Sequence, residues 1–156
     1  MLAKTKPSHT LNRTARPRVA IVLTVGLLIV VAFQAALTFG APFGAAAQGG
    51  TNPGRLPDAL RLVTGLGALV WLLAALVVLA RGGRSLVPLP DAVAEVGTWV
   101  VAGLLGLGTL LNFASPSPWE RFGWGPFTLV MFVLCVVLAR SGFTDQRATK
   151  ASPGAR

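Results

Sequence analysis

The stretch VAIVLTVGLLIVVAF, residues 19–33, decides the fold. It holds no charge, and Thr24 is its only side chain with a hydrogen-bonding group. A helix in a soluble bundle buries one stripe and wets the opposite face, so apolar and polar residues alternate at a 3.6-residue period. Here every face is apolar, and the surroundings that suit such a helix are lipid. The run continues to residue 39, and VWLLAALVVLA at residues 70–80 has the same character. Two further runs follow. At a rise of 1.5 Å per residue, roughly 20 apolar residues cross the hydrocarbon core. The reading is an all-α polytopic membrane protein with four transmembrane helices in an antiparallel bundle. The expected spans are 19–39, 60–80, 92–112 and 122–139, between a basic tail at 1–18 and a second tail at 141–156.

Composition agrees. Hydrophobic residues make up 53% of the chain and charged residues 12%, about half the charged share of an ordinary soluble domain, near 25%. The net charge of +9 raises nucleic acid as a partner, but the basic residues are sorted by segment and do not cluster with stacking aromatics. Eleven lie in the N-terminal tail, the second connection and the C-terminal end, including Lys4, Arg16, Arg81, Arg84 and Arg140. Three, Arg55, Arg61 and Arg121, lie in the first and third connections. Lys and Arg are retained on the cytoplasmic side, so both termini are expected in the cytoplasm and the protein in the inner (plasma) membrane. The first run is longer than the 7–15 residues of a signal-peptide core, so it is expected to stay uncleaved. Cys135 and His9 are each the sole residue of their type. That leaves no intrachain disulfide, no paired-thiol redox centre and no expected metal or cofactor.

FASPSPWERFGWGPF, residues 113–127, interrupts the apolar sequence with a Glu-Arg pair and two tryptophans. The first two prolines end the third span. Ser117 is placed to cap a new helix, Pro118 suits its first position, and Glu120 sits where a capping-box partner reaches back. Trp119 and Trp124 are expected at head-group level. Pro57-Asp58 and Pro90-Asp91 are the corresponding starts of the second and third spans, with an acidic residue at the positive end of each helix. Arg61 follows Asp58 by three positions, close enough to pair. The first connection, rich in Gly and Pro, reads as an external surface cap, with a re-entrant hairpin dipping into the bundle mouth as the alternative.

Three groups of candidate residues emerge. Gln34, Asp58, Arg61, Asn112, Glu120 and Arg121 lie near the external ends of their spans and form a candidate polar cluster at the bundle mouth. Glu95 is the candidate intramembrane acid, with Arg81 or Arg84 as its partner. Gly65 and Gly67 in the second span, and Gly103 and Gly106 in the third, are expected to let helices approach closely.

The motifs GAPFGAAAQGG (40–50), PGRLPDALR (53–61) and GLLGLGTLLNFASPSPWERFGWGPF (103–127) resemble those of a group of small four-span membrane proteins from bacteria with high-GC genomes. That resemblance implies the same topology and no assigned activity. No catalytic motif is present, so the protein is expected not to be an enzyme. The primary expectation is a structural or partner-binding membrane component. Its partners would be the lipid bilayer and a second copy of itself or another membrane protein, with no nucleic acid and no metal. The alternative is a small-molecule carrier or lipid-binding protein that uses the polar external mouth.

Overall fold

The computed structural model describes residues 15–84, 86 and 88–141. Among these the chain is helical with no strand. Helix α1 spans Ala15–Thr38, α2 Asp58–Arg81, α3 Asp91–Ala114 and α4 Gly125–Arg140. A π-helical turn, Glu120–Trp124, leads into α4, and the unit Glu120–Arg140 has 21 residues. All four helices are long and apolar enough to cross a membrane. The tails at 1–14 and 142–156 lie outside the described residues.

Local chemistry explains the boundaries. Pro57 and Pro90 occupy the N-cap positions of α2 and α3 with extended ψ of 151° and 140°. The acidic residues Asp58 and Asp91 then open each helix without a side-chain cap bond and act through the helix dipole. At the end of α2, Gly83 adopts φ 77°. Its N–H bonds the Ala80 carbonyl and the Arg84 N–H reaches Leu79, a Schellman stop that favours glycine at the left-handed position. Ser115, extended at ψ 143°, precedes Pro116, whose ring disfavours a helical conformation there. Further on, Pro126 has no N–H to offer the Phe122 carbonyl. The Gly125 N–H bonds Glu120 instead, and the widened turn relieves the proline clash.

The boundaries fall within a few residues of the sequence expectation, and two of the differences matter here. Helix α1 begins at Ala15 and not 19, so Arg16 and Arg18 belong to the helix. Backbone hydrogen bonding outlasts the apolar run, and the Arg16 Nε donates to the Arg81 carbonyl at 2.9 Å. Helix α3 runs to Ala114, past Asn112, because the first residue that cannot stay helical is Ser115.

The helices pack as two hairpins, α1 on α2 and α3 on α4, which meet through α2 with α3 and α1 with α4. The core joins all four through Leu23 and Leu27, Ala75 and Val78, Val101 and Leu105, and Cys135 and Leu138. It occupies the middle of the bundle and the end that carries Arg81, here termed the basic end. The outward faces stay aliphatic: Val25 and Ile29, Leu66 and Leu69, Leu107 and Leu110, and Val130 and Val133 are all exposed. In water such faces would cost about 25 cal/mol per Å², so lipid is the solvent that fits them.

Glycines settle how closely the helices approach. Gly65 faces Thr38 and Gly67 faces the Gln34 amide, while Gly106 lies against Phe132. The expectation for Gly103 is corrected. Nothing lies within 4 Å of where its side chain would begin, because it sits on the exposed face of α3 and not in a seam. Gly26, whose place a Cβ would contest with Met131, and Gly97, 2.8 Å from Val77 by the same measure, are the closer approaches.

Candidate functional site

The core leaves the opposite, cap end of the bundle unfilled. A cavity of about 610 Å³ opens there between the two hairpins. Phe33 and Gln34 of α1 and Trp71 of α2 line it. Leu105, Gly108 and Asn112 of α3 form a further wall, and Glu120, Trp124 and Thr128 close the side toward α4. The first connection roofs it with Ala46, Ala47, Gln48 and Gly49.

The roof is a folded cap. The Gly44 N–H bonds the Gly54 carbonyl at 2.8 Å, closing the loop on itself. Gly44 is required: a Cβ there would collide with the Asn52 backbone. Leu37, Ala47 and Leu56 form a small second core beneath the loop. Gln48, Gly49 and Gly50 take positive φ of 54°, 76° and 70° in succession, and the Gly49 N–H meets the Glu120 carboxylate at 3.1 Å. The Ser115 hydroxyl also donates to Glu120, and the Ser117 hydroxyl donates to the Ala45 carbonyl at 2.7 Å. Cap and third connection are thereby tied together at two points.

The capping box is rerouted. The Glu120 N–H reaches Ser117 Oγ at 3.4 Å, as the sequence suggests. The Ser117 N–H, however, is taken by Ser115 Oγ at 3.0 Å, so the Glu120 carboxylate is left for Gly49 and Ser115.

Gln34 stands out within the cavity. Its side-chain amide makes no hydrogen bond among the described residues, and Oε1 is buried without a partner. It rests on Gly67, with 3.3 Å between Nε2 and the position a Cβ would take. Behind it Thr38 and Thr64 bring their hydroxyls within 3.0 Å across the α1–α2 seam. Asn112 donates to Thr128 at 3.4 Å, and Thr128 in turn bonds the Trp124 carbonyl at 2.8 Å. Asn112 therefore has its carbonyl oxygen left over.

Of the six residues read as one polar cluster, the structure brings Gln34, Asn112 and Glu120 to the cavity. It separates the others. Asp58 and Arg61 pair at 2.8 Å, and the Arg61 Nε donates to the Thr38 carbonyl at 2.9 Å, so they fasten the end of α1 to the start of α2. Arg121 is exposed and makes no ion pair among the described residues. Adjacent positions on a helical turn do not share a face, so Arg121 does not follow Glu120 to the cavity.

Glu95 lies at the basic end, a third exposed, with its Oε2 4.0 Å from Arg81 Nη1. Arg81 is the residue the sequence reading undervalued. Expected in a watery connection, it is 6% exposed, and its Nη2 donates to the Ala139 carbonyl at 3.1 Å. With Arg16 on its own carbonyl, it joins all four helices. Nothing in the sequence marks this, because the rotation of α2 about its axis decides which way its last side chain points.

The aromatic expectation divides as well. Trp119 is exposed, as a head-group anchor would be. Trp124 turns inward, 4.8 Å from Phe33 and 5.6 Å from Phe127 between ring centroids. A second, apolar groove of about 340 Å³ lies on the outer surface there. It shares Phe33, Ala46 and Trp124 with the cavity.

Compared with protein-family models, curated proteins and solved structures, the chain gives no match.

Proposed function

We propose that the protein is a non-enzymatic inner-membrane component whose work is to bind a small molecule in the cavity at the cap end. The observation that carries this reading is the Gln34 side chain: its Oε1 is buried without a partner among the described residues, and the residue lines the cavity of about 610 Å³. Burying such a group unpaired costs about 1–3 kcal/mol, which a bound molecule with a complementary group recovers. Pockets of roughly 300–1,000 Å³, apolar with a few convergent polar groups, are the usual size and make-up of small-molecule sites. The distribution of basic residues supports cytoplasmic termini, which puts the cavity on the external side. Beneath it the interior is closed by Leu27, Leu105 and Met131. This favours holding or presenting a ligand over conducting one across the membrane.

Gly108 supplies the test, because nothing lies within 4 Å of where its Cβ would stand and it lines the cavity. Protein purified in mild detergent is extracted with organic solvent beside the Gly108→Leu variant, and the extracts are compared by mass spectrometry. A small molecule held by the wild type and lost from a variant that stays helical and monodisperse supports the reading. Identical extracts from the two proteins overturn it and return the protein to a purely structural or partner-binding role.

A further inference from the structure

We infer that the cavity takes an uncharged amphiphile, its hydrogen-bonding head against Gln34 and Asn112 and its chain leaving sideways into the membrane through the groove between α1 and α4. The inference rests on the binding role proposed above and adds the ligand's chemistry and route.

The charge follows from the lining. Among the described residues Glu120 is the only ionisable one on the cavity wall, and its carboxylate already accepts from Gly49 and Ser115. Among the described residues no Lys or Arg lines the space, so a phosphate or carboxylate head would be buried there without a counter-ion, which is costly at membrane depth. The groups on offer are neutral. Gln34 presents an amide whose Oε1 has no partner among the described residues, and Asn112 presents a carbonyl oxygen once its nitrogen has bonded Thr128. Carboxamides of this kind match a hydroxyl or an ester carbonyl, each of which completes their donors and acceptors.

The route follows from the second groove. Its walls are apolar or aromatic, with Ile29 and Trp119 exposed at its edge. The Phe33 and Trp124 rings, 4.8 Å apart, and Ala46 line both the groove and the polar cavity. Gly123 forms part of the groove floor with nothing within 4 Å of its missing side chain. A chain lying there stays in contact with lipid while its head is enclosed.

Native mass spectrometry of the full-length protein in phosphatidylcholine nanodiscs tests this. The probes are monoolein, oleyl phosphate, an oleyl trimethylammonium salt and the short-chain ester monobutyrin. Monoolein is expected to be retained at least about tenfold better than either charged oleyl probe. Gln34→Leu, or Gln34→Met if the first variant misfolds, should cut that retention about tenfold. Gly123→Phe should reduce monoolein retention while leaving monobutyrin unchanged. Retention of a charged probe equal to that of monoolein overturns the neutral head but leaves the cavity reading standing. Full monoolein retention in Gly123→Phe overturns the sideways route, and full retention in both Gln34 variants overturns the role of the amide. Full monoolein retention in Gly108→Leu overturns this inference and the cavity reading together.

Discussion

The Glu120 carboxylate accepts the backbone N–H of Gly49 at 3.1 Å across 71 positions of sequence. That contact makes one surface at the cap end out of two separate connections. It also places an acid at the rim of the cavity with its oxygens already engaged, so the acid acts as a clasp for the cap.

Removing the clasp gives the first expected outcome. Glu120→Ala leaves the Gly49 N–H and the Ser115 hydroxyl without their acceptor, at about 1.5–3 kcal/mol for hydrogen bonds to a charged group. Glu120→Gln retains one acceptor and should cost less. Thermal unfolding in detergent orders the two variants, and limited proteolysis should find new cleavage within residues 41–57 of the alanine variant. An uncut cap in Glu120→Ala would mean the clasp does not hold it.

At the basic end the two partners of one ion pair should behave unequally. Arg81→Ala removes a buried side chain that bonds the Ala139 carbonyl and faces Glu95, and a loss of about 2–4 kcal/mol is expected, somewhat below a fully buried pair because Glu95 keeps water. Glu95→Gln should cost less than about 1 kcal/mol, since the pair stands 4.0 Å apart with the acid a third exposed. Equal losses in denaturant unfolding would show the pair, and not the Arg81 packing, to be what matters.

Glycine substitutions separate seam from lipid face. Gly26→Ala places a methyl group where Met131 already lies, an overpacking that costs about 1–3 kcal/mol. Gly103→Ala meets open space and should be neutral or stabilise by about 0.5–1 kcal/mol through lower backbone entropy. A destabilised Gly103→Ala would point to a partner helix on that face.

The end of α1 depends on Arg61. Arg61→Ala frees the Thr38 carbonyl of its side-chain donor and should cost about 1–2 kcal/mol, with amide exchange rising in the last turn of α1. Asp58→Ala should leave both readouts near wild type, because Asp58 is exposed and Arg61 keeps its bond to Thr38 without it. Matching losses in the two variants would make the ion pair the fastening element.

Much of this architecture was legible in particular residues. The uncharged run at 19–33, the Pro-Asp starts at 57–58 and 90–91, and the SPSP break at 115–118 place three helices to within a few residues. The Asp58–Arg61 pair was legible for the same reason: residues three apart on a helix are neighbours whatever surrounds them. Gln34, Asn112 and Glu120 were readable as polar residues near one end of the bundle, but not as a subset distinct from Asp58, Arg61 and Arg121. Nothing in a chain of apolar residues marks Trp71 as a cavity wall, or Gly26 rather than Gly103 as a seam. Rotation about a helix axis decides that, and a helix apolar on every face carries no periodicity to reveal its rotation.

The amino-acid order alone determined that the chain is helical, that four helices are long and apolar enough to cross a membrane, and where each ends to within a few residues. Those outcomes follow from hydrogen bonds and transfer energies that act within a single helix. Tertiary structure alone decided that α1 and α2 part from α3 and α4 at one end, that Glu120 closes the cap through Gly49, and that Arg81 turns into the bundle. Each of these joins residues distant in sequence, and its energy exists only once the helices have chosen their neighbours.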